Sequence, residues 1–241
     1  MKQVFLCFLV AVTIMSCAIP EPTNGKDLIN SMHKRYSKTW YKTLTFKQAT
    51  TFYNAKEEVV KEQTWLEAMQ LPSSLAIKFD TITSGNGIVF KNDSIYNFRE
   101  GKMLASRQLH HPLLILGFSV YAQSPEKSIE DLGKLNIDVS KITTGIWQGK
   151  ENYIIGDENA THFYIEKERL LFTKLIQKGA NNSIMETQFN KYEELKNGWI
   201  APEVLFYTNG KVTMKEVYSE IETPNLPLSI FDITEFQKSN W

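Results

Sequence analysis

Between residues 26 and 37, Leu28, Ile29, Met32 and Tyr36 recur at three- and four-residue spacings. This predicts an amphipathic helix, with Thr23 or Asn24 available to cap it. After that helix the period drops to two. Leu44, Phe46, Thr50 and Phe52 take one face of a strand over 42–54, and a second strand carrying Trp65 and Met69 covers 59–70. Leu71-Pro72-Ser73 interrupts the run, after which Leu75, Ile77 and Phe79 alternate. Ser84-Gly85-Asn86-Gly87 predicts a hairpin turn into Ile88-Val89-Phe90, and Asn92-Asp93 turns the chain into 94–99. Neighbouring antiparallel strands joined by short turns make a meander.

The centre breaks this rhythm. His111-Pro112-Leu113-Leu114-Ile115-Leu116-Gly117-Phe118 is the most apolar stretch after the amino-terminal segment. Ser124-Pro125-Glu126 then has the form of a helix start. Ile129, Leu132 and Leu135 extend that helix, so a helical interruption is expected over about 112–135. Strands resume at 145–148, 151–156, 162–166, 170–178, 183–195, 199–207 and 212–222, with Asn209-Gly210 a hairpin signal between the last two. The order of helix, strands, helical insert and strands argues against a doubly wound nucleotide fold. It predicts a mainly antiparallel α+β chain. Its sheet of about nine to eleven strands is too wide to stay flat and must curl into a half-barrel.

The first seventeen residues follow a different logic. Lys2 precedes a nearly unbroken apolar run over 4–15, too short for a membrane span, and Ser16 then precedes Cys17. Ile14-Met15-Ser16-Cys17 resembles the lipobox of bacterial lipoproteins. The resemblance implies a signal peptide at 1–16 cut before Cys17, whose thiol and new amino terminus carry acyl chains. Two or three chains anchor stably where one does not, at about 0.8 kcal/mol per buried CH₂. An ordinary signal peptide with an incidental cysteine is the alternative. Residues 17–25, with Pro20 and Pro22, form a tether, and the domain is expected over 26–241. Ala18 after Cys17 favours the outer membrane, facing the periplasm, over retention at the inner membrane or display on the surface.

Composition narrows the classes. Of 241 residues, 42% are hydrophobic and 22% charged, the balance of a globular chain. Lys+Arg and Asp+Glu both total 27, so no net field recruits nucleic acid. Cys7 and Cys17 are the only cysteines, so the expected mature domain relies on packing rather than disulfides or thiolate metal sites.

Several short stretches resemble the LolA/LolB-like superfamily of lipoprotein carriers and lipid-binding proteins. These are Leu44-Thr45-Phe46 after the first helix, Leu71-Pro72-Ser73-Ser74-Leu75-Ala76-Ile77, the hairpin pair at 85–98, and Pro112-Leu113-Leu114 at the lid position. Phe163-Tyr164-Ile165-Glu166-Lys167 and the closing Leu228-Ser229-Ile230-Phe231-Asp232 also match. The resemblance implies a half-barrel whose concave face and central helical lid enclose an apolar cavity for lipid or lipoprotein acyl chains. The candidate lining is Leu44, Phe46, Phe52, Leu75, Ile77, Phe79, Phe90, Leu113, Leu114, Leu116 and Phe118. The same residues could instead fill a solid core. The family carrier's lid-holding arginine has no counterpart in Ala76-Ile77-Lys78-Phe79-Asp80, which argues against gated transfer of the carrier's kind.

Catalytic patterns are missing. Gly117-Phe118-Ser119-Val120-Tyr121 lacks the second glycine of a nucleophile elbow, and no phosphate loop or His-Glu-x-x-His is present. His110-His111 is the one histidine cluster, and adjacent strand residues chelate poorly because they point oppositely. No cofactor, metal or enzymatic activity is expected. The leading expectation is a membrane-anchored lipid-binding protein that can also meet envelope protein partners. A structural lipoprotein with a filled core is the second. An envelope hydrolase is the third, and it would need a cleft with convergent carboxylates of shifted pKa.

Overall fold

The computed structural model describes residues 21–196 and 198–241. The signal peptide expected at 1–16 and Cys17 therefore lie outside the described residues. Helix α1, Gly25–Tyr36, is capped by the Asn24 side chain, which accepts from the Asp27 amide at 3.0 Å. Asp27 lies in its first turn and His33, Lys34 and Arg35 in its last, complementing the helix dipole. Its buried stripe is Leu28, Ile29, Met32 and Tyr36, as the spacing predicts.

Six strands follow: β1 (Thr43–Tyr53), β2 (Val59–Gln70), β3 (Ser74–Phe79), β4 (Gly87–Lys91), β5 (Ser94–Arg99) and β6 (Lys102–Gln108). The helical insert consists of α2 (Pro112–Gly117), a 3-10 turn at Ser119–Tyr121, and α3 (Pro125–Lys134). Ser124 caps α3 by accepting from the Lys127 amide at 3.3 Å. The second half comprises β7 (Ile142–Trp147), β8 (Lys150–Gly156), β9 (His162–Glu166), β10 (Leu171–Lys178), β11 (Ile184–Asn190), β12 (Glu193–Leu195), β13 (Gly198–Ile200), β14 (Glu203–Thr208) and β15 (Lys211–Glu222). Asn209 and Gly210 both have positive φ (51° and 77°), which is what a tight hairpin between β14 and β15 requires.

Thirteen strands form one antiparallel sheet, in the order β6-β5-β4-β3-β2-β1-β15-β14-β11-β10-β9-β8-β7, and β12 pairs only with β13. The sheet is wider than the nine to eleven strands expected. Strand β6 explains part of the difference, because all seven of its residues are exposed and it shows no apolar alternation. The segments at 183–195 and 199–207 each divide in two, at Lys191-Tyr192 and at Ala201-Pro202, giving the separate β12–β13 ladder.

Two meanders are thus joined by the β1–β15 ladder, in which Gln48 faces Tyr218 and Thr50 faces Glu216. Strands β4 and β8 stand nine places apart in this order. A flat sheet would separate them by roughly 43 Å, at about 4.8 Å per strand. Yet Phe90 of β4 and Ile155 of β8 belong to one buried cluster with Leu28, Leu116 and Leu132 of the helices. The sheet therefore curls around its helices, and it remains open, with β6 and β7 as free edges. The outer face of β2–β5 carries a second, smaller core of Ala68, Ala76, Val89 and Phe98. Ile230, Phe231 and Phe236 of the carboxy-terminal tail cover it.

Candidate functional site

Register determines which side chains reach the inner face. On β1, Phe46 lies opposite Glu67 of β2, which lies opposite Ile77 of β3, which lies opposite Ile88 of β4. The adjoining row is Leu44, Met69, Leu75 and Phe90. Across the β1–β15 ladder the same face continues through Gln48, Tyr218 and Glu216. Because side chains alternate, all of these project to one side.

Helix α2 lies above this floor. Pro112 occupies its first turn, and the His111 ring caps it, with Nδ1 accepting from the Leu114 amide at 3.2 Å. The following turn is fastened twice. The Ser119 hydroxyl donates to the Pro72 carbonyl at 2.5 Å, and the Tyr121 hydroxyl accepts from the Phe172 amide at 2.7 Å. Tyr121 also stacks on Trp40, with ring centroids 4.1 Å apart. Gly117 allows α2 to approach β11, since a Cβ there would fall 2.7 Å from the Phe189 ring.

Between helix and sheet is a partly enclosed cavity of about 440 Å³. Of the residues expected to line it, Leu75, Ile77, Phe90, Leu113, Leu114 and Phe118 do so. Leu44, Phe46 and Leu116 are packed into the adjoining core instead. Leu116 is fully buried in that core. Phe52 and Phe79 flank the lining residue Trp65, with ring centroids 6.5 and 5.4 Å from it, without lining the cavity themselves. The opposite wall comes from the second half of the chain, including Met185, Phe189, Phe206 and Met214.

The floor is not uniformly apolar. Glu67 is 4% exposed and Glu216 7%. The Glu216 carboxylate accepts from the Tyr218 hydroxyl at 2.9 Å. Burial pushes its pKa up to about 7, against the smaller opposing effect of hydrogen bonds from Tyr218 and Gln48. Glu67 has no hydrogen-bond partner among the described residues. Burial, followed by the charge of Glu216, raises its pKa well above the usual carboxylate range. His111 is driven the other way by burial, down to about 4, so its ring is neutral at physiological pH. The signal for Glu67 was present in the sequence: it falls midway between Trp65 and Met69, on the face that alternation assigns to the interior.

Lys78, the basic residue of the arginine-free stretch 76–80, faces the other way from Glu67. It is fully buried on the outer surface of the sheet, with Nζ 5.1 Å from the centre of the Phe236 ring, and desolvation lowers its pKa. A second, polar pocket lies beside β8–β10. Burial pushes the Glu166 carboxyl up there, but hydrogen bonds from Arg169 and Lys150 outweigh that and hold it below the usual range. The adjacent histidines do not converge: His111 caps α2, while His110 Nδ1 lies 3.6 Å from Asp93. Among the described residues no three His, Cys, Asp or Glu side chains form a metal-ligand group.

No family model matches the chain, and no curated protein matches it. Its fold does have solved counterparts. A LolA superfamily protein from Nitrosomonas europaea is similar over 85% of this chain and 97% of its own, with a TM-score of 0.56 at 8% identity. A DUF1329 family protein from Desulfovibrio piger is similar over 86% and 95%, with a TM-score of 0.59 at 13% identity. A domain named for outer-membrane lipoprotein sorting, from Vibrio parahaemolyticus, is similar over 88% and 98%, with a TM-score of 0.60 at 11% identity. The chain has a LolA-like fold. At these identities the likeness speaks to the fold alone.

Proposed function

We propose that this chain is a lipoprotein of the bacterial envelope, anchored through acylated Cys17, that holds or transfers the acyl chain of a lipid or lipoprotein beneath α2. The domain from 26 onward would bind, and the tether at 17–25 would keep it beside the bilayer. The observation that carries the reading is the cavity of about 440 Å³ lined by Met69, Leu75, Phe90, Leu114 and Phe118. Its size falls within the range of ligand pockets, about 300–1,000 Å³. Burial of a chain there gains about 25 cal/mol per Å² before ordering costs. A solid core in the same place would leave no such space.

Two carboxyls of raised pKa in a cleft also bear on a hydrolase. Acid–base hydrolysis needs one carboxyl protonated while its partner is ionised. Burial pushes Glu67 and Glu216 in the same direction, and apolar side chains surround them. Binding accounts for that environment better than hydrolysis does.

Native mass spectrometry of the full chain purified from bacterial membranes tests the reading. We expect a lipid adduct beyond the mass of the acylated amino terminus, and its loss when Leu114→Trp fills the cavity. A bare mass after mild extraction, with no uptake from phospholipid vesicles, would overturn it. Cys17→Ser should release the protein from the membrane fraction.

A further inference from the structure

The ionisable groups lining the cavity are almost all acidic. Glu67 of β2, Glu186 of β11, Glu216 and Tyr218 of β15, and Tyr207 of β14 line it. His111 of the lid is the single base among the described lining residues, and its Nδ1 is already engaged at the Leu114 amide. Among the described residues, no lysine or arginine lines the cavity. Lys78, on the strand next to Glu67, is on the opposite face of the sheet beneath Phe236. Gln48, on the strand between the two buried glutamates, spends an amide proton on Thr50 at 2.8 Å. Tyr218 gives its hydroxyl proton to Glu216. Glu67 is left with Phe46 and Ile77 as cross-strand neighbours and with no donor among the described residues, although it is only 4% exposed.

A carboxyl buried without a partner is costly, and a ligand that donates to it recovers that cost. An anionic headgroup would find no lysine or arginine among the described lining residues, and a neutral hydrocarbon chain would leave Glu67 as it is. We propose that the cavity takes an apolar chain bearing a protonated amine, whose nitrogen donates to Glu67 within the field of Glu216 while its hydrocarbon lies against the lid. This rests on the binding role proposed above and specifies the ligand's polar end. A cation there draws the two carboxyls toward their ionised forms, so binding releases protons.

The test compares octylammonium, octanol and octanoate by calorimetry at pH 8, using the processed full chain held in nanodiscs. Wild type, Glu67→Gln and the double variant Glu67→Gln/Glu216→Gln are compared, so that uptake by the discs cancels. The amine should bind about tenfold or more tighter than the alcohol, as expected for a charge-assisted hydrogen bond, with octanoate weakest. Glu67→Gln should remove that advantage. Protons released on amine binding should show as a buffer-dependent heat in wild type and disappear in the double variant. Octanoate binding as tightly as octylammonium, or an amine preference that survives in the double variant, overturns the proposal while leaving the acyl-binding role intact. Failure of all three probes to bind, with an unchanged melting transition, overturns both.

Discussion

Glu67 and Lys78 stand on neighbouring strands and face opposite sides of the same sheet, one strand's thickness apart. Both are buried. On the outer face the chain supplies its own cover: Phe236 lies over the Lys78 ammonium and stacks on Phe98 with centroids 4.2 Å apart. A cation over an aromatic face retains part of the stabilisation that water would have given. On the inner face no segment of the described chain closes over Glu67, and its carboxyl borders open space. One sheet thus carries a filled side and a receptive side. The lesson is that burial alone does not distinguish a core from a site; what covers the buried group does.

Removing the cover on the filled side should have the largest effect. Phe236→Ala empties the outer core and is expected to cost about 3–5 kcal/mol, read by urea unfolding. Amphiphile affinity should not change; if it falls as steeply as stability, the two faces are not independent. On the receptive side the sign reverses. Glu67→Leu replaces an unpartnered carboxyl with a side chain suited to Phe46 and Ile77, and should raise stability by about 1–3 kcal/mol. A loss of stability would mean that Glu67 has a structural partner.

A subtler effect separates the faces by pH. The folded-state pKa of Glu216 is about 7, above its ordinary 4.5, so the folded form holds a proton that the unfolded form releases. Stability from this group is fully present below 4.5 and is lost as the pH rises toward 7. Glu67 acts in the same sense. His111, depressed to about 4 from 6.5, acts oppositely, losing stability as the pH falls through that interval. Melting temperatures of wild type minus Glu216→Gln cancel the histidine contribution, and that difference should fall as the pH rises from 4.5 to 7. A flat difference would place Glu216 in contact with water. The smallest effect belongs to the free edge. Leu104 of β6 is 58% exposed, and Leu104→Lys should change stability by no more than about 0.5 kcal/mol in the same unfolding assay.

Much of the receptive side was legible in the chain. Alternation placed Leu75, Ile77 and Phe90 on one face, and the apolar run after His111 marked the helix above them. The far wall was not legible, because Met185, Phe206 and Met214 face the cavity through the β11–β14–β15 ladders, and no local pattern states which strands will pair. Leu44 and Phe46 share the face of the cavity residues but pack into the adjoining core, Phe46 against Tyr218 with ring centroids 4.3 Å apart, and that packing is a tertiary outcome. Edge strand β6 leaves no mark in the hydrophobic pattern because an exposed strand needs no apolar period. Glu67 was visible as a charge on an interior face, but the alternation carried no chemistry until the neighbouring rows were in place.

The ladder between β1 and β15 also has a consequence in time. Residues 43–53 must wait for residues 211–222 before their second edge is paired. Such distant pairing is entropically slow and comes late in folding. Gln48, Glu216 and Tyr218 lie on this seam, so the cavity floor is completed only when the two meanders zip together. The floor of the cavity is therefore among the last parts of the molecule to form.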